Sequence, residues 1–69
     1  MVEVFKTNIK THGLSKTLIR KLLEHYPESS VNFDLDDCDK VLRVEGDDIC
    51  PVKIISLLTA DGCQCELLE

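Results

Sequence analysis

The chain reads as an α+β domain, with two helices on one face of a four-stranded antiparallel sheet in the order βαββαβ. Three observations predict it. Over residues 30–46, Val31, Phe33 and Leu35 alternate with Asn32, Asp34 and Asp36, and the alternation resumes at Leu42 and Val44 after a polar cluster. That is the period-2 pattern of a half-buried β-hairpin. Before the hairpin, Leu18, Ile19, Leu22, Leu23 and Tyr26 recur at helical spacing. After it, a run of isoleucine and leucine stands between Pro51 and Gly62, with a further short apolar segment beyond.

The first strand is expected over residues 2–9, which are rich in β-branched and aromatic side chains. Phe5, Thr7 and Ile9 form one candidate inner face and Val2 with Val4 the other. The first set is the expected one, because the second runs on into Lys6 and Asn8. Gly13 punctuates the loop that follows. Ser15 reads as the N-cap of the first helix, with Leu14 and Ile19 forming a hydrophobic staple across it. Lys16, Arg20, Lys21 and Glu24 take the wet face. Pro27 stops the helix by disfavouring helical geometry at Tyr26.

The second helix should start near Pro51, where a missing N–H would be unpaired in any case. Val52, Ile54, Ile55 and Leu58 make its expected buried stripe. Gly62 can take the left-handed conformation that ends it. Residues 63–68 form the last strand, with Cys63, Cys65 and Leu67 on one face. The result is a ferredoxin-like, split βαβ sandwich. Right-handed crossovers bring the first loop, the hairpin turn and the loop before the last strand to one end.

Sixty-nine residues make one domain spanning 1–69, and a chain this short buries only about 60% of its unfolded surface, so the core must be efficient. The net charge of −5 gives no surface able to neutralise a run of phosphates, so neither nucleic acid nor an anionic membrane is an expected partner. The apolar runs are too short to span a bilayer, and the first residues open no secretory signal. The expected location is the cytoplasm, although a mature secreted form would read the same way. The four cysteines lack the spacing of a disulfide framework. Cys63 and Cys65 would stand about 6.6 Å apart on a strand, at the limit of what a bridge tolerates. All four are expected to be reduced.

Several stretches together resemble the heavy-metal-associated domain of copper chaperones and metal-pumping ATPases. They are Val4-Phe5-Lys6 before the first helix, Val31-Asn32-Phe33-Asp34, and Val41-Leu42-Arg43-Val44-Glu45-Gly46. Pro51-Val52-Lys53-Ile54-Ile55 and Asp61-Gly62 complete the set. The likeness runs over essentially the whole chain and implies the same βαββαβ fold. Family members hold a soft metal by a Cys-x-x-Cys pair in the loop entering the first helix. Matched without gaps, those positions fall here on His12 and Ser15. A serine hydroxyl is a poor ligand for soft metals, and one imidazole alone holds little. No cofactor is therefore expected. The alternative is copper or zinc in a rearranged site, with His12 joined by Cys63 and Cys38 from the neighbouring loops. Against it, His12 also reads as an ordinary loop histidine, and the three ligands share no spacing signature.

The other candidates each have a plainer counterpart. Cys50 precedes Pro51 and falls at the second helix's N-cap, where unpaired N–H groups favour a reactive thiolate. Asp47 and Asp48 oppose that charge, and a small cysteine at a helix start often simply packs. Cys65 and Cys63 read as small core residues. The run Asp34, Asp36, Asp37, Asp39 fails as a calcium loop, since Cys38 and Asp39 stand where an oxygen ligand and a glycine are needed. It reads instead as a solvated hairpin tip able to steer a basic partner. On the sheet's open face, Val4 and Val41 are candidate contacts beside Lys6, Arg43 and Glu45. Glu24 and His25 point about 100° apart on a helix, and no phosphate loop or nucleophile motif is present. The chain is thus expected to be non-enzymatic, with a protein-interaction or regulatory role and a protein partner or homodimer. The rivals are a transition-metal carrier and a thiol sensor at Cys50. Val4, Val41, Asp36, Asp37 and Asp39 are the candidate partner surface.

Overall fold

A computed structural model describes residues 1–68. The elements run β1 (Val2–Thr7), α1 (His12–His25), β2 (Ser30–Asp34), β3 (Val41–Glu45), α2 (Pro51–Ala60) and β4 (Cys65–Leu67). The strands make one antiparallel sheet in the order β2-β3-β1-β4. Each helix therefore links two strands that have a third between them, the split arrangement expected of the six-element order. The α+β class and both helix–strand alternations stand as read from the sequence.

The inner face is set by register. Phe5 pairs with Leu42 on one side and Leu67 on the other, and Leu42 in turn pairs with Phe33. Phe5, Leu42 and Val44 from the sheet meet Leu18 and Leu22 of α1 and Ile54 and Leu58 of α2, and all seven are fully buried. At about 1.5–3 kcal/mol per side chain, this cluster is the dominant stabilising contribution in so short a chain. Phe5, Thr7 and Ile9 are the buried set of the first segment, as expected, although the strand itself stops at Thr7. Ile9 stays buried beyond the strand end as part of the core cluster, and its N–H donates to Thr7 Oγ1 at 3.3 Å.

Three local expectations are corrected. The first helix is capped by Thr11, not Ser15: Thr11 is extended (φ −121°, ψ 145°) and its Oγ1 accepts the Leu14 N–H at 3.2 Å. Starting at His12 takes Gly13 into the first turn and sends Leu14 outward, so no Leu14–Ile19 staple spans a cap. A Thr cap contributes about 1 kcal/mol, which offsets the roughly 1 kcal/mol that a glycine costs inside a helix. Second, Val52 is 72% exposed. It lies two residues before Ile54, about 200° round the helix, so it faces away from the core. Third, the last strand is shorter than 63–68. Cys63 lies in the turn before it, its N–H donating to the Leu58 carbonyl at 3.0 Å while Gly62 N–H donates to Thr59 at 2.9 Å. Gly62 has φ +81°, the left-handed C-cap geometry expected of it.

The three loops expected at one end do meet there. Thr7 N–H donates to the Asp39 carbonyl at 3.0 Å, and Gln64 N–H donates to Asn8 Oδ1 at 3.0 Å. No helix among the described residues is long and apolar enough to cross a membrane.

Candidate functional site

The end that gathers these three loops holds most of the residues singled out from the sequence. His12 is the first residue of α1 and is exposed. Ser15 lies one turn on and is only 4% exposed, its Oγ donating to the His12 carbonyl at 2.7 Å. The two positions matched to the family's metal pair thus point into different surroundings, one wet and one closed. Ser15 faces the core because 15, 18 and 22 share one helical stripe; a small hydroxyl bonded to its own backbone fits there.

Cys63 and Cys38 do not complete a site around His12. Among the described residues, the only group of three or more His, Cys, Asp or Glu ligand atoms within 4.8 Å of one another is Asp37, Cys38 and Asp39. Neither His12 nor Cys63 belongs to it. Cys63 is buried, its S–H donating to the Asp61 carbonyl at 3.9 Å. Burial pushes its thiol pKa up, Asp61 adds to the rise, and Lys21 opposes it. Cys65 is raised further, from an ordinary 9.0 to about 11, by burial first and by Cys63 second. Burial disfavours the thiolate at both positions, which works against ligation there.

The Asp37–Cys38–Asp39 group is the tip of the hairpin, and its proximity follows from a tight turn. Asp37 Oδ1 accepts the Asp39 N–H at 2.9 Å, and the Asp37 carbonyl accepts Lys40 N–H at 3.0 Å. Lys40 takes φ +47° to close the turn, and its Nζ donates to the Leu35 carbonyl at 2.9 Å. Thr7 Oγ1 donates to the Lys40 carbonyl, and Lys6 Nζ stands 3.8 Å from Asp39 Oδ1. Asp36 and Asp37 are exposed, and Asp39 is half-buried. The tip is therefore an acidic projection fastened to β1.

The remaining candidates separate clearly. Cys50 is the N-cap of α2, as expected, and is exposed, but its side chain makes no cap hydrogen bond. Val4 is half-buried on the open face of the sheet. Val41 lies on that face too but is only 7% exposed, so it is no contact residue. It sits directly across from Asp34.

One feature had no sequence signal. At the opposite end, the turn after α1 and the turn after β3 enclose a cleft of about 340 Å³ lined by Tyr26, Ser29, Asp47 and Asp48 among others. Tyr26 Oη is buried without a hydrogen-bond partner, and Lys53 Nζ stands 6.0 Å from its ring centroid. The two turns are 20 residues apart in the chain and approach closely at Gly46, where an added Cβ would stand 3.1 Å from Ser29 Cβ. No family model matches the chain, and no curated protein matches it.

Proposed function

We propose that this chain is a small non-enzymatic interaction domain on a scaffold similar to the heavy-metal-associated domains. In this reading the loop end meets a protein partner and carries no metal. The observation that carries it is Ser15. At the second of the two matched metal positions stands a buried hydroxyl, already donating to the His12 carbonyl. With Cys63 buried and outside the group of close ligand atoms, the end offers carboxylates and no paired thiolates. A partner suited to it presents lysine or arginine to Asp36, Asp37 and Asp39. Charge of this kind speeds encounter and fixes orientation more than it supplies affinity.

Two measurements test the reading. Anaerobic titration with Cu(I) or Zn(II) against a competing chelator, on the wild type and on His12→Ala, should give binding no tighter than about micromolar and indifferent to His12. Tight, His12-dependent metal would overturn the proposal in favour of a carrier. Capture of partners from a lysate should then be lost in an Asp36→Asn/Asp37→Asn/Asp39→Asn variant and weakened by salt. Capture indifferent to both changes would remove the acidic tip from the interface.

A further inference from the structure

The sheet has one face under the helices and one face bare. The registers put Val4 at the centre of the bare face, with Arg43 beside it on β3. Leu68 N–H donates to the Val4 carbonyl at 2.8 Å, which continues the β1–β4 ladder and places Leu68 on Val4's other side. Val2 is next along the strand and 49% exposed. A short apolar strip therefore crosses the middle of the face.

The charges around that strip are of two kinds. Lys6 is matched within the chain, facing Glu66 across the ladder and standing 3.8 Å from Asp39. Arg43 and Glu45 are not. Arg43 faces Val4 and Asn32, and Glu45 faces Val2 and Ser30. Neither makes an ion pair among the described residues. They are one cation and one anion on the same strand and the same face, about 6.8 Å apart, each next to a valine.

We infer that this face binds a second copy of the chain, two sheets meeting about a two-fold axis with Arg43 of one copy opposite Glu45 of the other. In an isologous contact, whatever residue i does to j, j does to i. Strands crossing in opposite directions therefore form the ion pair twice, with the valines enclosed between. The chain's overall charge of −5 would push copies apart on most surfaces. Here Lys6 and Arg43 stand against Asp34, Glu45 and Glu66, so the face is nearly balanced. It is also small. Four strands at about 4.8 Å and five residues at about 3.4 Å give a footprint of roughly 320 Å², well short of the ~800 Å² that each partner of a stable complex buries. The dimer is accordingly weak and in rapid exchange with the monomer.

Sedimentation equilibrium from about 20 μM to about 1 mM covers the weak range, and the weight-average mass should climb toward twice the monomer's. Arg43→Glu and Glu45→Arg each place like charges together twice and should weaken association by about tenfold. The double variant Arg43→Glu/Glu45→Arg restores opposite charges across the axis and should recover most of the loss. Both sites are exposed, so the variants should melt like the wild type. If net charge alone governed association, the two single variants would shift it in opposite directions, and that result would overturn the proposal. So would a monomer at every concentration, or a double variant no better than the singles.

Discussion

Lys21 Nζ stands 3.0 Å from Asp61 Oδ1 and donates to the Leu57 carbonyl at 3.3 Å. One side chain from α1 thus closes the C-terminal end of α2, where carbonyls lack helical partners and the dipole favours a cation. Leu18 and Leu22 of α1 and Ile54 and Leu58 of α2 share the core beneath, and this contact joins the two helices at its edge. It also sits beside Cys63, on whose thiol Asp61 and Lys21 act with opposite sign.

Lys21→Met keeps the aliphatic stem and removes the charge. The two side chains are 28% and 35% exposed, so screening limits the ion pair to about 0.5–1 kcal/mol. In a domain this size that is a fall of about 3–7 °C in melting temperature. Raising the salt should shrink the difference between wild type and variant, and Lys21→Met in an Asp61→Asn background should cost less than in the wild type.

Two glycines with open space around them should respond to alanine with opposite signs. At Gly62 and at Gly13 a new Cβ would meet nothing within 4 Å, so sterics do not enter. Gly62 holds φ +81°, and alanine there should cost about 1 kcal/mol through backbone strain. Gly13 is helical, and alanine there should add about 0.5–1 kcal/mol. Chemical denaturation of the two variants reads both directly.

The sequence carried the periodic parts of this structure well, and the parts decided by distant neighbours less so. Alternation at 31, 33, 42 and 44 and the helical spacing of Leu18, Ile19, Leu22, Leu23 and Tyr26 are local, so hairpin and helix were legible. The cap was not, because Thr11 and Ser15 are both good caps by type. Val52 is apolar by type, but its angle round the helix, about 200° from Ile54, turns it to solvent. The three-loop end followed from crossover handedness alone. What that end contains did not, since whether His12, Cys38 and Cys63 converge depends on side-chain burial that spacing does not encode. The Tyr26 cleft joins turns too distant in sequence for any pattern to show.

Thiol reactivity should divide the cysteines two and two. Cys38 and Cys50 are exposed, Cys63 buried and Cys65 half-buried. At pH 8, an aromatic disulfide reagent should label the first pair quickly and the second only as the protein opens. Cys65 is raised to about 11, so in the unfolded chain its proton leaves at lower pH than in the native state. Stability on this account is whole below about pH 9 and declines as pH rises toward 11. Cys65→Ser should lose part of that decline. An unchanged alkaline profile would mean that other groups set it.

Two residues on α2 make the most direct test of the packing. Ile54 is fully buried among Leu18, Phe5 and Leu58, while Val52, two positions earlier, is 72% exposed. Ile54→Ala removes buried methylene and methyl groups and leaves a cavity, for a cost of about 2–5 kcal/mol. That is a large share of the total stability of a small domain, so the variant should be partly unfolded at 37 °C. Val52→Ala removes groups already in water and exchanges a β-branched residue for the best helix former, so it should be neutral or stabilising by about 0.5 kcal/mol. Comparable losses at the two positions would mean that α2 is rotated from the orientation described here, and Ile55 would then be the residue to truncate next.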